Sequence, residues 1–418
     1  MRMKDYSAFS LLRRAIVTST PERPVWRSPD PALRYDVLII GGGGHGLATA
    51  YYLARNHGIT RVAVLEKGWI GSGNSGRNTT VVRSNYLFPE SAGIYEFSLQ
   101  LYEKLSRDLN FNIMLSQRGL VSLAHSRHEL ESFRNWVNCV QLNGVDAELL
   151  TIGEIRNLIP ILNVSADSCL PILGGMQQGR AGVARHDAVV WAYARAADRL
   201  GVDIVQNCEV TGFVRDDAGI CGVHTTRGTI RAGRVGLAVA GHSSVLAEMA
   251  GFRLPIRSYA LQAFVSEPVK PVLDKVVLSG TLGVYVSQSD KGELVVGGGL
   301  DHYQSYAQRG SIGTVEDTVA SLLELFPCFS RLRLLRQWAG TVDVVRDSSP
   351  IIGTSPVAGL YLNCGWGTGG FKAIPGGGWV FAHTLATGEP HPLAAPFALA
   401  RFERGALIDE AAAAGIAH

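Results

Sequence analysis

Arg83 and Lys372 each follow a run of small and polar residues. Gly71-Ser72-Gly73-Asn74-Ser75-Gly76-Arg77-Asn78-Thr79-Thr80 precedes the first, and Gly365-Trp366-Gly367-Thr368-Gly369-Gly370-Phe371 the second. A guanidinium presents a planar fork that takes a carboxylate through two parallel hydrogen bonds, and an ammonium adds a compact point charge. Brought together, the two would clamp a small amino acid by its carboxylate and leave its amine facing a reactive partner. A cationic pocket also favours the unprotonated amine, the form that can give up a hydride.

A third glycine run identifies that partner. Asp36-Val37-Leu38-Ile39-Ile40 is an apolar strand that leads into Gly41-Gly42-Gly43-Gly44-His45-Gly46 and then into Leu47-Ala48-Thr49-Ala50, which opens a helix. In this Gly-x-Gly-x-x-Gly order Gly41 makes the tight turn, Gly43 lets the backbone approach a pyrophosphate and Gly46 lets helix and strand pack closely. Gly44 and His45 complete the turn, and the helix N-terminus aims free N–H groups at the phosphates. A second strand, Arg61-Val62-Ala63-Val64-Leu65-Glu66, ends in a carboxylate 20 residues after Gly46, where a ribose hydroxyl needs an acceptor, with Lys67 next to it. The polar loop that follows, with Asn74, Arg77 and Thr79, is longer than an NAD-type crossover requires and points to FAD. Gly367, Gly370 and Phe371 then bring backbone N–H groups to the pyrimidine end of the flavin, where negative charge develops on reduction.

These groups require a frame. Apolar spacing predicts a helix from Pro89 to about Arg107 and another over 187–197, followed after Gly201 by strands at 202–207 and 209–213. That helix–strand–strand order returns the chain to the cofactor domain and makes Val210 an edge position whose backbone can bond an adenine. The strand from Val235 to Ser243 closes on the nucleotide side, and 255–335 reads as alternating strands of a substrate lobe. The expected fold is α/β, a two-domain flavoprotein with a Rossmann-like FAD-binding domain and an interleaved antiparallel-sheet substrate domain. The FAD-binding parts are 35–105, 176–250 and 336–418, and the substrate parts are 106–175 and 251–335. Residues 1–34, rich in Arg, Ser and Pro, read as an extended arm.

A chain of 418 residues, 46% hydrophobic and 18% charged, suits one large core divided between two lobes. A net charge of +3, with no basic tract interleaved with aromatics, argues against nucleic acid. No apolar run reaches the ~18 residues of a membrane span and the N-terminus lacks a secretory signal, so a cytoplasmic protein is expected. The six cysteines have no Cys-x-x-Cys spacing and most of them read as buried thiols, with no metal site. His186, in Ala184-Arg185-His186-Asp187, stands before a helix with Asp187 as N-cap, and on chemistry alone is a surface or cap-adjacent histidine.

Nearly the whole chain resembles the beta subunits of heterotetrameric sarcosine oxidases, FAD-dependent amine oxidoreductases of the D-amino-acid-oxidase-like family. The resemblance is carried by Tyr35 through Leu53, Glu66-Lys67-Gly68-Trp69, Arg77-Asn78-Thr79-Thr80, Ser116-Gln117-Arg118-Gly119 and Arg185-His186-Asp187. Gly365 through Lys372, Glu389-Pro390-His391-Pro392-Leu393 and Leu407-Ile408-Asp409-Glu410 extend it. It implies a noncovalent FAD and oxidation of sarcosine to an imine, giving glycine and a one-carbon unit released as formaldehyde or passed to tetrahydrofolate. It further implies an FMN attached covalently to His186, beside Arg185, that takes electrons from FAD and reduces oxygen to hydrogen peroxide. Alpha, gamma and delta subunits would be the partners, with NAD and tetrahydrofolate on the larger one. Arg83 and Lys372 match the substrate-carboxylate ligands of the family.

Departures accompany it. Gly340 stands where monomeric sarcosine oxidases carry the cysteine that binds FAD. Val345-Arg346-Asp347 replaces a Thr-Pro-Asp-like turn, and Tyr303 to Gln308 replaces a more glycine-rich stretch. A single-FAD amino- or imino-acid dehydrogenase that hands electrons to a carrier is the alternative, against which Arg185-His186-Asp187 argues. A catalytically idle assembly subunit is a further alternative, against which the pair Arg83 and Lys372 argues.

Overall fold

The cofactor end of the molecule is built on parallel strands. In the computed structural model, which describes residues 8–16 and 25–408, these run in the order Leu360–Cys364, Gly228–Leu237, Arg34–Ile40, Val62–Leu65 and Asp203–Val205. Ile351–Thr354 adds an antiparallel edge, and the hairpin Val210–Asp216 with Gly219–Thr225 hangs from Gly228–Leu237. Successive side chains of a strand face opposite ways. Val37 and Ile39 therefore pack with Leu47, Leu53, Val189 and Phe381 of the covering helices, while Leu38 and Ile40 pack with Val235, Leu237 and Leu246 on the other face. A sheet covered on both faces needs apolar strands throughout, which is how Val37 to Ile40 reads.

The second sheet runs Leu334–Val345, Ile256–Pro268, Glu293–Gln304, Val284–Gln288, Val276–Ser279, Leu120–Ala124, Gly174–Gln178 and Glu148–Leu150. Its pairs are antiparallel except for Val276–Ser279 beside Leu120–Ala124, which is parallel. Leu334–Val345 crosses the expected 335/336 boundary and pairs with Ile256–Pro268 along its length, from Ile256 opposite Val345 to Ser266 opposite Leu334. Gly174–Gln178 likewise crosses the 175/176 boundary to pair with Leu120–Ala124.

Several local expectations change. Ile312–Leu325 is a helix inside the stretch read as strands; Val315, Val319 and Leu322 recur at helical spacing and pack onto the second sheet. Ala8–Ile16 is a helix and not an extended arm, since Ala8, Leu11, Leu12, Arg13, Arg14 and Ala15 are strong helix formers. Residues 1–7, 17–24 and 409–418, which include the rest of that arm's first half and Asp409-Glu410, lie outside the described residues. Arg185, not Asp187, takes the N-cap position of the helix His186–Arg199. Asp187 lies in its first turn, where Oδ1 accepts from the Ala188 N–H at 2.8 Å and Oδ2 pairs with Arg185 at 2.9 Å. The thiols divide: Cys208 and Cys364 are buried, but Cys139, Cys169 and Cys328 are exposed. Cys139 lies on a helix that buries only Trp136, Val137 and Val140, so its thiol falls on the wet side. Among the described residues no helix is long and apolar enough to cross a membrane.

Candidate active site

A cavity of about 830 Å³ is lined by residues of both sheets. Its floor is the turn Gly41 to His45. Gly41 has φ +111°, and a Cβ there would lie 2.2 Å from the Ala238 carbonyl oxygen. Gly46 faces away from the cavity and packs on Gly41, where a Cβ would lie 1.9 Å from the carbonyl oxygen. Glu66 closes the turn from the neighbouring strand: Oε2 accepts from the Gly42 N–H at 2.8 Å and Oε1 from the Gly68 N–H at 2.9 Å. A carboxylate offers about four lone pairs, so Glu66 retains capacity for a ribose hydroxyl. Lys67 lies 3.4 Å from His242 Nε2 at the same end, and Val210 opens the outer strand of the hairpin there.

The polar loop arches over the middle of the cavity and is tied to the second sheet. Asn74 Nδ2 donates to the Thr341 carbonyl at 2.5 Å, Trp338 Nε1 donates to the Arg77 carbonyl at 2.7 Å, and the Thr79 and Tyr285 hydroxyls lie 2.7 Å apart. Arg77 donates to the carbonyls of Ser72 and Gly73. Ser75 Oγ accepts from the Gly44 N–H at 2.9 Å. Thr80 holds φ +68°, an uncommon conformation for a β-branched residue, with its N–H on Asn78 Oδ1 at 2.7 Å.

At the far end lie the two basic side chains. Arg83 is buried, donates to Asn85 Oδ1 at 2.7 Å and places its guanidinium 4.6 Å from the centre of the Tyr86 ring. Tyr86 stacks on Tyr95 at 3.7 Å. Lys372 is also buried, and its Nζ donates to the Thr368 carbonyl at 3.2 Å. Burial first, then the nearby Arg83 charge, holds its pKa well below the usual lysine value. The loop that carries Lys372 is fastened by distant side chains. Asp343 accepts from the N–H groups of Gly365 at 2.5 Å and Gly367 at 3.2 Å. His45 Nε2 lies 2.8 Å from the Gly370 carbonyl, which makes Nε2 the protonated nitrogen, and the ring stacks on Trp366. Tyr102 donates to the Phe371 carbonyl and Ser98 to the Lys372 carbonyl, each at 2.7 Å. Burial pushes His45 down to about 4 and Asp343 up to about 6.

The profile of the FAD dependent oxidoreductase (DAO) family matches residues 36–384. A sarcosine oxidase subunit beta of Arthrobacter sp. is 56% identical over 400 residues, covering 95% of this chain and 99% of that protein. Its counterpart in Rhodobacter capsulatus is 53% identical over 416 residues and covers both chains fully. The chain belongs to the FAD-dependent oxidoreductases and, within them, to the sarcosine oxidase beta-subunit family. Among solved structures, L-proline dehydrogenase from P. horikoshii superposes with a TM-score of 0.84 at 27% identity, over 90% of this chain and all of that one. Glycine oxidase from Geobacillus kaustophilus gives 0.78 at 25%, over 88% and 99%.

FAD suits the cavity of this beta-subunit family member. The glycine turn would cradle its phosphates, and Asn363 Nδ2 is a buried donor on the wall with no protein partner among the described residues. Of the residues singled out by sequence, Gly41, Gly43, Gly44, His45, Glu66, Lys67, Asn74, Arg77, Thr79, Arg83, Val210, Gly367, Gly370, Phe371 and Lys372 line this one cavity. Arg185 and His186 do not. His186 begins its own helix, half-buried, with Nδ1 sealed from solvent and unpartnered; burial lowers its pKa, so the ring is neutral. It is joined to the polar loop through the pairing of Val81–Val82 with Gly182–Val183 and by the Ala184 N–H on the Thr80 carbonyl at 3.0 Å. Sequence reasoning missed Asp343, Trp366, Tyr86 and Asn363. Asp343 had a readable signal: a lone carboxylate within Ala339-Gly340-Thr341-Val342-Asp343-Val344-Val345 must be bonded if that run is buried.

Proposed function

We propose that this chain oxidises sarcosine on a noncovalent FAD, as the beta subunit of an αβγδ oxidase in the cytoplasm. The observation that carries the reading is the burial of Arg83 and Lys372 in the cavity that also holds the glycine cradle. The two cations fix the carboxylate, the Tyr86–Tyr95 pair fixes Arg83, and the anchored loop fixes Lys372, so the substrate's amine and N-methyl group project toward the rest of the cavity. FAD, when bound, supplies the hydride acceptor. Gly340 lines the wall beside Asn74 with no side chain to tether a flavin, in keeping with noncovalent attachment.

His186 is the attachment point for FMN in this proposal, with electrons passing on to oxygen and hydrogen peroxide as product. A neutral imidazole is the nucleophilic form, and with Nδ1 sealed, Nε2 is the nitrogen left for an incoming group. The short ribbon between His186 and the polar loop supports a second flavin close to the first. Glycine and a one-carbon unit are the products, and NAD and tetrahydrofolate belong to a partner subunit. The likeness to L-proline dehydrogenase favours a second reading, a single-FAD dehydrogenase that uses a carrier.

Co-expression with the candidate partners, acid precipitation and peptide mapping separates the two. A flavin-bearing peptide that contains His186, with FAD released to the supernatant, is the expected result. An unmodified His186 peptide from an active, assembled complex would leave the dehydrogenase.

A further inference from the structure

Lys372 is a buried amine beside a permanent cation, and it lacks a counterion. Its Nζ bonds the Thr368 carbonyl at 3.2 Å, and among the described residues no carboxylate pairs with it. The ionisable groups on the surrounding elements are committed elsewhere. Glu96, on the helix Pro89–Asp108, takes Arg180 Nη1 at 2.6 Å and the Ser84 hydroxyl at 2.7 Å. Asp343 is occupied by the N–H groups of Gly365 and Gly367. His45 is neutral and bonded to Gly370, Tyr86 and Tyr95 stack on each other, and Tyr102 donates to Phe371. Arg83 is the charged neighbour, and its effect on Lys372 is repulsive. An ammonium in such a place gives up its proton, and the Thr368 carbonyl accepts equally well from –NH₂.

We propose that Lys372 meets the substrate as a neutral amine and takes the proton of the substrate's own ammonium group. The step rests on the reading of Arg83 and Lys372 as the carboxylate clamp, and it balances within the cavity. Lys–NH₂ and R–NH₂⁺–CH₃ become Lys–NH₃⁺ and R–NH–CH₃; one N–H bond breaks, one forms, and no electron moves. In an α-amino acid the nitrogen stands one carbon from the carboxylate, so a single Nζ reaches both. The incoming carboxylate supplies the counterion that Lys372 lacked, which drives the transfer, and the substrate nitrogen is left with the lone pair that hydride donation requires. Arg83 has two tasks, drawing in the carboxylate and keeping Lys372 neutral until it arrives.

Proton counting tests this on the FAD-loaded, assembled complex. Methoxyacetate has sarcosine's shape with an ether oxygen for the amine. Titrated calorimetrically at about pH 8 in buffers of different ionisation enthalpy, it should take up close to one proton per molecule bound, and its affinity should fall about tenfold per pH unit above neutrality. Sarcosine, titrated into the anaerobically reduced complex where it cannot react, should exchange close to none. Lys372→Arg, charged at every pH, should bind methoxyacetate without uptake and show a kcat/KM for sarcosine that climbs about tenfold per pH unit as free amine becomes available. No uptake with methoxyacetate in the wild-type complex, whether or not sarcosine releases a proton, would overturn the proposal. So would unchanged uptake in Lys372→Arg. Failure of both ligands to bind would instead remove the clamp on which it rests.

Discussion

The turn Gly41 to Gly46 and the loop Gly365 to Lys372 are both glycine-rich and both border the cavity, yet opposite means hold them in shape. The turn is fixed first by the absence of side chains of its own: at Gly41 and Gly46 an added Cβ would overlap backbone oxygens at 2.2 and 1.9 Å, and Glu66 and Ser75 add one bond each to its N–H groups. The loop is fixed by the presence of side chains, none of them its neighbours in sequence. Asp343 comes from the second sheet, His45 from the helix of the turn itself, and Ser98 and Tyr102 from the helix Pro89–Asp108. A surface built by exclusion is compact and local, whereas one built by attachment depends on the whole fold being in place.

Substitutions at the two regions should therefore fail differently. The largest effect belongs to Gly46→Ala, where a methyl group meets backbone that cannot yield. Overpacking of this kind costs ~3 kcal/mol or more, and the purified protein should carry little FAD, read as flavin absorbance per chain; full occupancy would break the exclusion argument. Next is Arg83→Ala, which should leave FAD content unchanged and lower kcat/KM for sarcosine roughly 10²- to 10³-fold, the equivalent of ~3–4 kcal/mol for a desolvated charge contact.

Asp343→Asn sharpens the comparison through pH. Because the folded-state pKa is raised to about 6 from 3.8, the protonated carboxyl group favours the fold most below about pH 4, and that contribution is lost as pH rises through about 6. The Asn variant lacks this dependence. Whatever its stability at low pH, it should gain on the wild type by up to roughly 3 kcal/mol between about pH 4 and pH 7, measured by chemical denaturation at both ends of the range. Parallel stabilities would mean the buried carboxylate ionises without penalty. The smallest effect is expected of His45→Ala, which removes one neutral hydrogen bond and one ring stack, ~1–2 kcal/mol together. A several-fold weaker FAD affinity with an intact cradle, followed by fluorescence titration, is the expected outcome.

The same contrast explains what could be read from the chain. The glycine turn, Glu66 and the two cations at the ends of their loops are local patterns, so their types and spacing were visible in the sequence. The partners of the Gly365 to Lys372 loop were not, because no local pattern relates Asp343 to Gly365 or His45 to Gly370; pairing of Leu334–Val345 with Ile256–Pro268 is what delivers Asp343. His186 stands between the two cases. Its identity was visible, but on local chemistry alone it was an ordinary histidine, and its half-buried place at a helix start leaves the local reading much as it was. The helix Ile312–Leu325 was obscured by flanking strands whose alternation dominated the stretch.

The Tyr86–Tyr95 stack reaches both halves of the proposed clamp. One end lies beneath Arg83, and at the other a Cβ on Gly369 would come within 2.0 Å of the Tyr95 hydroxyl oxygen. The hydroxyl edge of the pair thus limits how closely the loop that bears Lys372 can approach the rings on which Arg83 rests. Because positions 83, 86, 95 and 369 touch one another in series, a library that varies them together is the place to look for a change in the length of acid accepted.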